Sequence, residues 1–194
     1  MSRFAADHAF EGAPGRRHAA LARGGGETVS GSRREGEGVM LSLWRAQRTR
    51  RRVAALVAPL VEGSRFRFGA IAEQAWSDPY VIGFLAMLIT RLAELQAGKL
   101  DNDTLALVQA GAWADVTGQD EDTIGENLVL LSSANDSMFE LGCRNGALVA
   151  DALSGCLSQA ESAGADEGPW DASPGRTDVE VLWADCFEAR LPAG

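Results

Sequence analysis

The stretch from Asp78 to Gly98 constrains this chain more than any other, because it reads as one helix with both ends written into it. Asp78 suits the N-cap, where a carboxylate accepts hydrogen bonds from first-turn amides. Pro79 fits the first helical position, and Gly98 suits a left-handed stop. Between them Tyr80, Val81, Phe84, Leu85, Leu88, Leu92 and their apolar neighbours cover nearly every side of the first three turns, as expected of a helix packed all round. The run from Tyr80 to Thr90 is interrupted by Arg91 before it reaches the roughly 20 residues of a bilayer span. It therefore predicts the buried axis of a bundle.

Amphipathic segments flank that axis. From Met40 onward Leu43, Trp44, Val53, Leu56, Val57 and Leu60 recur at helical spacing, with Pro59 expected to kink or end the helix and Gly63 to stop it. A second helix is expected to start at Ser64 and to turn Phe68, Ile71, Ala75 and Trp76 inward. After the axis, Asp101, Asn102 and Asp103 offer caps for a helix with Leu105, Val108, Ala112, Trp113 and Val116 inside and Gly118 at its end. Asp120, Glu121 and Asp122 open the next helix, where the dipole favours negative charge. Its apolar stripe runs to about Ala160, with a break expected between Ser132 and Ser137. The fold class is all-α, a compact bundle of about five or six helices over residues 40–163.

The tails differ in composition. Residues 1–39 are rich in Gly and Arg with almost no periodic apolar positions, so they cannot repay the entropy of ordering and are read as disordered. The abrupt change at Met40 marks it as a candidate natural start. Residues 164–176 read as a linker, and residues 177–191 as a separate amphipathic helix.

Charge is divided along the chain. Residues 1–67 carry 13 arginines against 6 acids, a balance of +7, while residues 68–194 carry 5 basic residues against 21 acids, a balance of −16. Lys99 is the only lysine beside 17 arginines, which with the abundant Ala and Gly suggests a GC-rich, bacterial genome and lowers the weight of arginine clusters. Three cysteines without CxxC spacing indicate neither a disulfide framework nor a zinc site. With no apolar signal core in residues 1–10, a soluble, unprocessed, cytoplasmic protein is expected.

Familiar catalytic plans find no residues here. His8 and His18 both lie in the first 39 residues, which removes the usual general base and zinc ligand from the bundle. There is no GxSxG, HExxH or GxGxxG after a strand, and Lys99 lacks the upstream glycine of a phosphate loop. Asp101 and Asp103 match the DxDT form of aspartyl-phosphate phosphatases, but helix capping explains them better than a strand-borne nucleophile. Asp115, Asp120, Glu121, Asp122 and Glu126 lack the glycine a calcium loop requires at its sixth position. Cys143 beside Arg144 reads as packing rather than as a reactive thiol. No catalytic residue, cofactor or metal ligand is assigned, and a non-enzymatic protein is the leading expectation.

Three surfaces remain as sites. Val179, Leu182, Trp183 and Phe187 share one face of the C-terminal helix and offer aromatic anchors for a partner protein, or for this protein's own core, two readings of equal weight. Arg45, Arg48, Arg51 and Arg52, with Leu43 and Trp44, form the candidate contact for nucleic acid or an anionic membrane. Gly142, Gly146 and Ala150 make a seam of small residues, read first as tight internal packing and second as a homodimer surface. The function expected from these is a protein-protein interaction module, an adaptor or regulator. The second reading is an Arg-dependent nucleic-acid or membrane-surface binder. The third is a carboxylate and metal enzyme grouping Asp101, Asp103, Asp120 and Asp122.

Overall fold

A computed structural model describes residues 32–162 and 175–191, with side chains from 40 to 159 and from 175 to 191. Six α-helices and no strand occur among the described residues. They are α1 (Ser32–Phe68), α2 (Pro79–Ala97), α3 (Asn102–Thr117), α4 (Glu121–Ala134), α5 (Ser137–Ser162) and α6 (Arg176–Cys186). Short 3₁₀ turns cover Glu73–Ser77 and Glu188–Arg190. Residues 1–31 and most of the expected linker lie outside the described residues.

Helix α2 is the axis, and its ends form as the side chains at each end dictate. The Asp78 carboxylate accepts from the amides of Tyr80 (2.8 Å) and Val81 (3.3 Å). Gly98 closes the other end with φ +69° and ψ −163°, a positive φ outside the left-handed helical basin. Val81, Phe84, Leu85, Leu88 and Leu92 are fully buried. By length and composition α2, at 19 residues, is long and apolar enough to cross a membrane, although the sequence run looked too short. Its apolar surface is instead covered by the other helices of the bundle.

The most extensive helix contact joins α2 to α5, and glycines set its distance. A Cβ on Gly142 would fall on the Tyr80 carbonyl oxygen, one on Gly146 on that of Phe84, and one on Gly83 on that of Phe139. The two helices therefore run parallel, backbone against backbone. The seam at Gly142 and Gly146 serves tight internal packing, the favoured of its two readings, and α2 occupies the face that a homodimer would need.

Helix α1 departs most from expectation. It begins at Ser32, upstream of Met40, and runs through Pro59 and Gly63 to Phe68. Proline costs one backbone hydrogen bond, but Val57, Leu60 and Val61 around it are almost wholly buried, and that packing holds the helix together. The chain turns only at Gly69, where φ is +80°. The expected second helix is therefore absent. Ser64 sits inside α1, Phe68 points outward, and a 3₁₀ turn carries the buried Ala75 and Trp76.

The later helices end where caps were expected. Asp101 accepts from the Thr104 amide and Asp120 from the Asp122 amide, each at 2.8 Å. Gly118 is left-handed. The break between α4 and α5 falls on Asn135, left-handed at φ +50°, and Asp136 caps α5 through the amides of Met138 and Phe139. Helix α6 packs on α5 and carries its aromatic side chains to Phe84 of α2.

Candidate functional site

The aromatic face of α6 turns inward. Val179, Trp183 and Phe187 are fully buried and Leu182 half-buried. The Trp183 and Phe187 rings lie 4.4 Å apart, and Phe84 of α2 meets both at about 5.5 Å. In this arrangement Val179, Trp183 and Phe187 are out of a partner's reach and only Leu182 keeps some exposure, so the face formed by Val179, Leu182, Trp183 and Phe187 docks on the protein's own core. The physical reason is ring packing: Trp183 and Phe187 bury their large apolar faces against each other and against Phe84 of α2.

A polar knot missed by the sequence reading locks this helix in place. The Trp183 indole N–H donates to the Ser64 hydroxyl at 2.9 Å, and that hydroxyl donates to the Glu188 carboxylate at 2.5 Å. Arg67 also donates to Glu188, which is 8% exposed. A buried carboxylate needs such partners. Their separation of about 120 positions leaves no local pattern to read, so only Ser64 in an apolar run hinted at it.

The arginine cluster divides into two roles. Arg50, which lies within the same run of sequence, turns towards α3 and α4. Its guanidinium donates to both Asp115 oxygens (2.7 and 2.8 Å) and to Glu121 (2.8 Å). These bonds hold Arg50 more firmly protonated and the Asp115 carboxyl below the usual carboxylate range. The sign of the pH effect follows. A carboxyl lowered on folding stabilises fully above its unfolded value of about 3.9 and loses that contribution as pH falls through the lower folded value. Arg50→Met is expected to cost about 1–2 kcal/mol at neutral pH, moderated by the pair's partial exposure. Thermal unfolding followed from pH 7 to pH 2 should show that deficit shrinking in acid; a constant deficit would mean that Arg50 acts by packing alone.

Arg45, Arg48 and Arg52 instead line a groove of about 420 Å³ between the first half of α1 and the end of α2, with Leu41, Trp44 and Gln96. Arg45 donates to the Ala97 and Lys99 carbonyls and so caps α2, a structural duty the sequence did not reveal. The Arg48 guanidinium lies over the Trp44 ring at 5.5 Å. Arg48 and Arg52 make no ion pair with any described residue. Arg51 is exposed but does not line the groove. Leu41 and Trp44 are 68% and 63% exposed, since the first turns of α1 extend past the bundle.

The chain matches no family model, no curated protein and no solved structure. Chemical interpretation therefore rests on geometry.

The remaining candidates have structural partners. Asp101 binds both the amide and the hydroxyl of Thr104, which lowers its carboxyl below the usual range. Asp120 caps α4. No group of three His, Cys, Asp or Glu placed to hold a metal occurs among the described residues, so the grouping of Asp101, Asp103, Asp120 and Asp122 is not assembled there. Burial pushes the Cys143 thiol up, away from the thiolate that reactivity requires, and nearby Arg144 opposes this only weakly. Arg91 lies 3.7 Å from Glu94 on the same exposed face of α2.

Proposed function

We propose that the protein is a non-enzymatic interaction module that holds an acidic helical segment of a partner protein in the groove between α1 and α2. The observation that carries this reading is the pair Arg48 and Arg52, without an ion pair among the described residues, beside the exposed Trp44 and Leu41. In a molecule of net charge −9, two guanidiniums with no ion pair among the described residues, beside an exposed indole, favour an acidic ligand. Tryptophan and arginine are also the side chains that dominate binding energy at interfaces.

The same arginines would attract nucleic acid or anionic lipid. A groove receives a narrow ridge better than a flat bilayer, and residues 68–194, at −16, repel a long polyanion. An acidic helix with carboxylates four residues apart meets Arg48 and Arg52 at their own spacing. Titration with a synthetic acidic amphipathic helix, read by calorimetry, tests the proposal. Binding is expected to weaken about tenfold or more in Trp44→Ala and in Arg48→Glu/Arg52→Glu. Binding of anionic vesicles or single-stranded DNA, with none of the peptide, would overturn it.

A further inference from the structure

A second, larger groove, of about 720 Å³, lies between α3 and α4. Its floor carries Leu107 and Ala110, and its rim carries Asp103, Glu121, Asp122 and Glu126. Glu121 is bound by Arg50, but Asp103, Asp122 and Glu126 have no cationic partner among the described residues. Leu107 is 51% exposed, and Val129 and Leu130 farther along α4 are 68% and 64% exposed. The molecule thus carries a basic groove with an exposed tryptophan and an acidic groove with an exposed leucine. Neither finds its complement among the described residues.

The two surfaces match in spacing as well as in sign. Arg48 and Arg52 are four residues apart on α1, and Asp122 and Glu126 are four residues apart on α4, so each pair presents its charges about one helical turn apart. Each groove also lies beside a ridge: α1 with Leu41 and Trp44 flanks the basic one, and α4 with Asp122 and Glu126 flanks the acidic one. We propose that the α4 ridge of a second copy of this chain docks in the basic α1–α2 groove, while the Leu41/Trp44 ridge of the first copy docks in the acidic α3–α4 groove of the second. This rests on the reading of the basic groove given above, and it names the acidic helix as α4.

The contact is head-to-tail, since the two patches differ. One helix seated in one groove lies at the low end of interface size, so the association is weak and sensitive to salt. Sedimentation velocity of the full chain, across a concentration series, at about 50 mM and about 1 M salt, gives the first measurement. Concentration-dependent growth beyond the monomer is expected at low salt, and monomer at high salt. Arg48→Glu/Arg52→Glu and Asp122→Asn/Glu126→Gln alter exposed side chains without making the two altered surfaces complementary, and circular dichroism checks that both variants fold like the wild type. Each variant alone is expected to associate at least about tenfold more weakly. Mixed one to one, they retain one intact basic groove and one intact acidic groove, and the mixture is expected to form a heterodimer that grows no further. A wild-type chain that stays monomeric at low salt, variants that associate as the wild type does, or a mixture that remains monomeric would each overturn the proposal. Binding of the acidic peptide by a monomeric wild type would remove the second copy as partner and leave the basic groove's function standing, whereas loss of both would remove the two together.

Discussion

Replacing Trp183 with alanine is expected to destabilise the protein by about 3–5 kcal/mol, the usual cost of deleting a buried aromatic ring. For a chain of this size that corresponds to a fall in Tm of about 6–20 °C. Trp183 has no exposed surface, its ring meets Phe187 and Phe84, and its N–H satisfies Ser64, whose own proton goes to Glu188. Removing the indole leaves a cavity in the middle of the aromatic cluster and takes a donor from a buried polar chain. Trp183→Phe keeps most of the ring contact and is expected to cost less, about 1–2 kcal/mol, chiefly through the lost hydrogen bond. Val181→Ala, on the exposed side of the same helix, is expected to change stability by less than about 0.5 kcal/mol. Thermal and urea unfolding followed by circular dichroism measures all three. Equal stability of Trp183→Ala and wild type would return α6 to the role of a detachable docking helix.

The α6 case illustrates what was legible and what was not. Periodicity placed Val179, Leu182, Trp183 and Phe187 on one face correctly, because the 3.6-residue repeat is a property of a single segment. It could not say what that face touches, because a groove on another protein and the space beside α2 demand the same apolar stripe. The ends of α2, α3 and α4 were legible for a related reason: Asp78, Asp101 and Asp120 satisfy backbone amides within three residues of themselves. Ser64 misled on the same logic. A serine after a glycine looks like a cap, yet in α1 its hydroxyl serves Glu188 and Trp183, far along the chain. Pro59 misled because propensity weighs about 3 kcal/mol at most positions, less than the burial of the residues around it supplies.

The candidate site was legible only as a charge run. Five arginines between positions 45 and 52 look alike in sequence, and three-dimensional packing sorts them into a helix cap at Arg45, an internal ion pair at Arg50, and two unpaired side chains at Arg48 and Arg52. The partners that sort them, Ala97, Asp115 and Glu121, lie 52 to 71 positions away. With the aromatic face of α6 turned inward, exposed apolar side chains beside charges unpaired among the described residues lie on α1 and along α3 and α4.

Gly142→Ala and Gly146→Ala should reverse the ordinary effect of their substitution. Inside a helix, alanine in place of glycine is worth about 1 kcal/mol in favour of folding, since it restricts the unfolded chain. At Gly125 and Gly155, where an added Cβ meets no atom within 4 Å, that gain is expected to appear as a small rise in Tm. At Gly142 and Gly146 the added carbon would coincide with the carbonyl oxygens of Tyr80 and Phe84, which belong to the helical backbone of α2 and cannot rotate aside. The two helices must separate, and every side chain packed between them loses contact. Each substitution is expected to cost about 1–3 kcal/mol or more, and the pair together to leave the chain unable to fold cooperatively. Gly83→Ala should behave in the same way from the α2 side, because its Cβ would strike the Phe139 carbonyl. Urea unfolding of these variants beside Gly125→Ala and Gly155→Ala separates propensity from packing, as the sign of the change differs between the two sets. Stabilisation at Gly142 or Gly146 would mean that α2 and α5 stand farther apart than a backbone contact allows. The small-residue seam would then be free to receive a second molecule.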